Sequence, residues 1–163
     1  GYKFEEKSHR PFLADKADSL GVPFGPERRE LVQGKSITLA NGTRIEPEDV
    51  LGPALKGMSL AITGDMGRTD NLLEICQGLD TLITESTYIH EDAEMAGKFG
   101  HLTARQAAEL AKQAGVKRLI LTHFSRRYRE RDIIREARAI FPNSFTARDF
   151  DTYQVRREEN EEK

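Results

Sequence analysis

Three times this chain of 163 residues runs a short apolar stretch into a threonine and then an acid or an imidazole: Ile62-Thr63-Gly64-Asp65, Ile83-Thr84-Glu85 and Leu121-Thr122-His123. The apolar runs, Leu60 to Ile62, Leu82 to Ile83 and Leu119 to Leu121, have strand length, and two of the three are followed by helical patterning. Such alternation predicts an α/β domain. Ligands and chemistry gather beyond the carboxyl ends of the strands in open α/β sheets, so Asp65, Glu85 and His123 are expected to share one rim.

The length suits one domain with a real core. Hydrophobic residues at 37% and charged residues at 32% fit a polar-surfaced globule. No apolar run approaches a membrane span, and Gly1 to Lys7 lacks the apolar region of a signal peptide. No membrane partner and a cytoplasmic location are therefore expected. The single cysteine, Cys76, excludes an internal disulfide and reads as a small core residue. A net charge of -2 argues against nonspecific coating of nucleic acid. Any such contact must come from local basic patches.

Residues 1–7 read as a strand of the core. Residues 8–57 are punctuated by Pro11, Gly21-Val22-Pro23-Phe24-Gly25-Pro26, Gly34, Pro47 and Gly52-Pro53, and read as an arm or insert whose segments are too brief for a large core. Within it, Asn41-Gly42 predicts a type I′ hairpin turn, because both residues tolerate positive φ. From residue 58 to 155 the texture is regular. Strand Ser59 to Thr63 precedes a helix over Asp70 to Gln77, whose Leu72, Leu73, Ile75 and Cys76 can face a sheet. Strand Thr81 to Thr84 follows, and His90 to Lys98 is a loop or short helix. Thr103-Ala104-Arg105-Gln106 fits a capping box, and Ala104, Ala107, Ala108, Ala111 and Ala114 make a narrow helical stripe closed by Gly115. Lys117 to Thr122 is the best buried strand, Arg129 to Phe141 an amphipathic helix, and Ser144 to Ala147 and Thr152 to Val155 are edge-like strands. Residues 156–163 are a charged tail.

Among the four histidines, His9 and His90 read as surface or structural residues. His123 follows a buried strand, and His101 directly precedes the capped helix. Asp65 offers a carboxylate able to bridge two cations, and Glu85 can either bind metal or orient a histidine so that it donates a proton. The favoured division makes His123 and Asp65 ligands and Glu85 with His101 a proton-handling pair. Arg126 and Arg127, close to the rim, suit phosphate. Arg129 and Arg131 alternate with Glu130 and Asp132 as on a solvated helix surface. These features alone describe a metal-assisted hydrolase acting on something anionic.

Taken together, Thr63-Gly64-Asp65, Thr84-Glu85-Ser86-Thr87-Tyr88, Gly100-His101-Leu102-Thr103 and Leu121-Thr122-His123-Phe124-Ser125-Arg126-Arg127-Tyr128 closely resemble the ribonuclease Z family, the tRNA 3′-processing endonucleases. The resemblance extends over about Gly1 to Tyr153. It implies the C-terminal half of a metallo-β-lactamase αββα sandwich, with the Gly/Pro-rich segment as a protruding, tRNA-binding arm. It also implies a zinc-dependent endoribonuclease that removes the 3′ trailer of precursor tRNA by cutting after the discriminator nucleotide. Carried over, Asp65 and His123 are ligands of a two-zinc centre, and Glu85 and His101 form the relay that protonates the departing ribose oxygen. Ser125, Arg127 and Tyr128 lie beside the substrate near the cleavage point, with Arg126 added as a phosphate candidate by its place near the rim, and Arg28 and Arg29 of the arm are candidates for the tRNA body. The family's His-x-His-x-Asp-His cluster does not occur in this sequence. The chain is accordingly expected to be inactive alone, to need an N-terminal half with the remaining ligands, and to work as a homodimer. Met66 stands where the family usually has threonine. The competing expectations are another metallo-β-lactamase-type nuclease or phosphodiesterase, and a noncatalytic RNA-binding or assembly subunit.

Overall fold

Each of the apolar runs forms a strand, and they lie side by side. In the computed structural model, which describes residues 1–155, the main sheet is assembled from β1 (Tyr2–Glu5), β4 (Ser59–Ile62), β5 (Thr81–Glu85), β6 (Arg118–Thr122) and β7 (Ser144–Thr146), in the order β1-β4-β5-β6-β7. β1 pairs antiparallel with β4, and the remaining neighbours are parallel. Registers Ile62↔Ile83, Glu85↔Thr122 and Leu121↔Thr146 bring the carboxyl ends of the central strands to one rim.

Helices α4 (Leu73–Cys76), α6 (Ala104–Gln113) and α7 (Glu130–Arg138) supply one layer. Their Cys76, Ala104, Ala107, Ala108, Ala111, Ile133 and Ala137 bury against Ala61, Leu82, Leu119 and Leu121 of the strands. Every alanine of the stripe is buried, because a helix without long side chains can approach the sheet closely. Thr103 caps α6 through the Gln106 amide, and the Gln106 side chain returns the bond, so two otherwise free N–H groups are satisfied. A 3₁₀ turn at His90–Asp92 leads into α5 (Ala93–Phe99), which ends at Gly100 in the left-handed region.

Three sequence expectations for this part are corrected. Helix α4 is a single turn, because Leu72 N–H bonds to Thr69 and Arg68 pairs with Asp70 in a preceding turn. Leu72 and Cys76, four apart, face inward, while Leu73 and Ile75 are exposed. Residues Thr152 to Val155 form no strand. The Tyr153 hydroxyl donates to the Thr146 carbonyl at 2.6 Å, and the Arg118 guanidinium donates to the Gln154 carbonyl at 2.8 Å, so side chains and not a ladder hold this segment. Glu85 is the last residue of β5, not the first beyond it. The charged tail Arg156 to Lys163 lies outside the described residues.

The chain divides into two compact units, one made of Gly1–Glu5 with Met58 onward, the other of Glu6–Gly57. The second unit holds α1 (Ala14–Ser19), α2 (Pro26–Val32), α3 (Pro47–Val50) and the hairpin β2 (Ile37–Thr38) with β3 (Arg44–Ile45). Pro26 and Pro47 each open a helix, where the missing N–H costs nothing. Ala17, Val22, Leu31, Ile37, Ile45 and Val50 form a small core of its own, with Phe12 and Leu39 packed on it. Arg10 fastens the unit by donating to the carbonyls of Gly52 at 2.8 Å and Leu51 at 3.0 Å. The type I′ turn is corrected too. Only Gly42 has positive φ, and Leu39 and Thr43 close a longer loop in which the Asn41 side chain accepts from Thr43 N–H at 2.9 Å. This is the three-residue hairpin solution, with glycine alone in the left-handed position.

Candidate active site

The rim gathers four side chains from four places in the sequence. Glu85 ends β5, His123 follows β6, Asp65 lies on the loop after β4, and His101 sits between α5 and α6. Their positions rest on the strand ends: the Thr63 hydroxyl meets the Thr84 hydroxyl at 2.8 Å, and the Thr122 hydroxyl donates to the Thr84 carbonyl at 3.3 Å. The recurrent threonines therefore link adjacent strands just before the chain turns into the site.

Glu85 is buried to 1% exposure, so its carboxylate needs donors. It receives them from Met66 N–H at 2.7 Å, Thr87 N–H at 3.2 Å and the Thr87 hydroxyl, while His101 Nδ1 lies 3.1 Å from Oε1. Residue 66 contributes through its backbone, so a methionine there keeps this contact. Asp65 Oδ1 is 3.5 Å from His123 Nδ1, and the rings of His101 and His123 stack with centroids 5.5 Å apart. One ligand atom from each of Asp65, His101 and His123 lies within 4.8 Å of the others. A carboxylate and two imidazoles at this separation suit a divalent transition metal. The division into ligands and proton pair made from sequence is not drawn by distance alone, because His101 touches Glu85 and also belongs to the cluster with Asp65 and His123.

His123 adopts φ 51, a left-handed backbone uncommon for a residue with a side chain. Its carbonyl oxygen lies 3.0 Å from the Thr87 hydroxyl oxygen. Thr87 is the site residue that sequence reasoning did not single out. Its hydroxyl meets Glu85, His123 Nδ1 at 3.0 Å and His101 Nδ1 at 3.2 Å. Its sequence signals are a place two residues beyond Glu85 and membership of the Thr84-Glu85-Ser86-Thr87-Tyr88 run, which give it no role of its own.

Ser125, Arg126, Arg127 and Tyr128 occupy the turn between β6 and α7. Ser125 N–H donates to the Thr87 carbonyl at 3.1 Å, which ties this turn to the site. Arg126 and Arg127 are exposed, whereas the Tyr128 hydroxyl donates to Asp92. Burial and that bond push the Tyr128 phenol up to about 12, so it stays protonated at neutral pH. Tyr88 bridges from Tyr128, at 6.4 Å, to His101, at 6.0 Å. In the other unit Arg28 donates to Asp18 and to the carbonyls of Val22 and Pro23, and stacks on Phe12 and Phe24. Its side chain is only 15% exposed, while Arg29 is exposed.

A family model described as a beta-lactamase superfamily domain matches residues 25–124, more than half of the chain. The chain belongs to the β-lactamase superfamily. A ribonuclease Z of Bradyrhizobium diazoefficiens is 45% identical over 151 residues, covering 93% of this chain and 50% of that protein. The chain thus spans about half the length of the curated relatives it matches. The crystal structure of the short form of human tRNase Z superposes with a TM-score of 0.50 at 30% identity, over 63% of this chain and 37% of that one. The metallo-beta-lactamase fold protein YhfI of Bacillus subtilis superposes with a TM-score of 0.51 at 24% identity, over 55% and 36% of the two chains. The fold of this superfamily member is accordingly that of the metallo-β-lactamases. No helix among the described residues is long and apolar enough to cross a membrane.

Proposed function

We propose that this chain is the C-terminal half of a ribonuclease Z and supplies one side of a zinc site that cuts precursor tRNA after the discriminator nucleotide. The observation that carries the reading is the convergence of Asp65, His101 and His123 within 4.8 Å of one another, with Glu85 buried behind His101. The likeness to proteins named ribonuclease Z supports the choice of substrate. Zinc, when held by Asp65 and His123, supplies Lewis-acid activation of water and stabilises charge developing on the phosphate.

The chain's own residues do the rest. Glu85, 3.1 Å from His101 Nδ1, orients that imidazole, which can deliver a proton from Nε2 to the departing ribose 3′-oxygen. Ser125, Arg126, Arg127 and Tyr128 border this point, where the two guanidinium groups offer paired N–H donors to phosphate oxygens. In the Glu6–Gly57 unit, taken here as the tRNA-binding arm, Arg29 is exposed and can meet phosphate, whereas Arg28 is occupied within the unit. The ligands in this chain are too few for two zinc ions, as one catalytic zinc generally takes three protein ligands. Cleavage therefore needs the other half, and the whole protein acts as a homodimer.

Pairing this chain with the segment that its Bradyrhizobium diazoefficiens relative carries beyond the matched region tests the reading. Zinc-dependent cleavage of precursor tRNA is expected from the pair and not from the chain alone. His101→Ala should lower turnover by roughly 10²–10⁴-fold while leaving zinc content unchanged, whereas His123→Ala should lower both. Zinc lost in the His101→Ala pair would make His101 a ligand, and cleavage by the chain alone would overturn the split-site reading.

A further inference from the structure

We propose that Thr87 is a positioning residue whose hydroxyl links buried Glu85 to His123 and holds that imidazole with its proton on Nδ1, leaving Nε2 free for the site. The argument is a count of protons. A threonine hydroxyl has one hydrogen to give and lone pairs to accept with. Around Thr87 Oγ1 lie Glu85 Oε2, the His123 carbonyl at 3.0 Å, His123 Nδ1 at 3.0 Å and His101 Nδ1 at 3.2 Å. Donation to a carboxylate is roughly twice as strong as donation to a neutral carbonyl. The hydrogen therefore goes to Glu85, and Oγ1 is left as an acceptor.

An acceptor beside a ring nitrogen requires that nitrogen to carry its hydrogen. His123 Nδ1 must then be the N–H of its ring. His101 Nδ1 is likewise N–H, because it faces Glu85 Oε1 at 3.1 Å as well. One buried carboxylate thus sets both tautomers, His101 directly and His123 through a hydroxyl, and Asp65 Oδ1 at 3.5 Å from His123 Nδ1 favours the same form. Partners of this kind fix ring orientation in imidazoles that bind metals. The inference deepens the metal-site reading above and rests on it for its purpose, but its geometry concerns this chain alone.

The tautomers can be read in the metal-free chain by long-range ¹H–¹⁵N correlation of histidine-labelled protein, at a pH where the imidazoles are neutral. Both His101 and His123 are expected as Nδ1–H. In Thr87→Val combined with Asp65→Ala, which removes both the hydroxyl and the carboxylate beside His123 Nδ1, His123 is expected to move to the Nε2–H form that a free imidazole prefers, whereas Asp65→Ala alone keeps Nδ1–H through Thr87. His101 should stay Nδ1–H through Glu85, and Thr87→Ser in place of Thr87→Val should restore the parent pattern. An Nε2–H form of His123 in the parent chain or in Asp65→Ala overturns the proposal even if the double variant fails to fold, as does a folded double variant with His123 unchanged. Neither RNA nor metal enters the measurement, so a negative result leaves the nuclease reading standing.

Discussion

The left-handed backbone at His123 is the clearest cost carried by a single residue of the site. A non-glycine residue held there loses on the order of 1–2 kcal/mol, and the contact of the His123 Nδ1 with the Thr87 hydroxyl at 3.0 Å helps to hold it. Glycine removes that cost and alanine keeps it. His123→Gly is therefore expected to be more stable than His123→Ala by about 1 kcal/mol, although both lose the imidazole. Urea unfolding of the two variants decides this, and equal midpoints would mean the turn is not strained. Asp65, Glu85, His101 and His123 were legible in the sequence because their side chains can hold metals or protons and each adjoins a patterned element, a strand for three of them and the capped helix for His101. Thr87 was not. A hydroxyl has no chemistry that marks it out in a sequence, and its part comes only from the convergence of three other side chains upon it.

Strand order and register are secured at the opposite end of the sheet by Asp80. Its carboxylate accepts from Ser59 N–H at 2.8 Å and the Ser59 hydroxyl at 3.2 Å, and pairs with Lys117 at 2.7 Å, so the starts of β4, β5 and β6 meet at one buried group. Burial alone would raise its pKa, but the Lys117 and Ser59 contacts prevail and hold the carboxyl below the usual range. A lowered folded-state pKa contributes stability that is present above the unfolded value, about 4, and disappears as pH falls through the folded value. Asp80→Asn is expected to cost about 1–3 kcal/mol at neutral pH, and its gap from the parent should narrow below about pH 4. Urea melts across that range check the sign, and a gap that stays constant down to pH 3 would rule it out. Elements with strong period were legible: the alanine stripe of α6, its capping box and the run of β6 all follow from side-chain size and hydrogen-bonding type. The single-turn α4 and the absent strand at Thr152 to Val155 were not. Their apolar letters were real, but local turns and side-chain bonds to more distant residues used the backbone first.

At the scale of the molecule, the main sheet has one face covered by helices and another that is not equally served. Side chains alternate along a strand, and the residues opposite in parity to Ala61 and Leu82 are Tyr2 and Phe4 on β1, Leu60 and Ile62 on β4, and Ile83 on β5. Tyr2, Phe4 and Ile62 are 76%, 53% and 39% exposed. Adjacent exposed apolar side chains of this kind mark an interaction surface, and the N-terminal half proposed above is the candidate to occupy it. Without it, the chain is expected to self-associate as its concentration rises. Burying a phenylalanine or isoleucine is worth roughly 1.5–3 kcal/mol, and about 1.4 kcal/mol is a factor of ten in affinity. Phe4→Lys with Ile62→Lys should thus weaken self-association by at least about 100-fold, as seen by sedimentation equilibrium. The partner segment should suppress the parent's association and no longer bind the double variant. If the parent stayed monomeric at high concentration, or if the double variant associated as strongly, this face would not be the one that the other half covers.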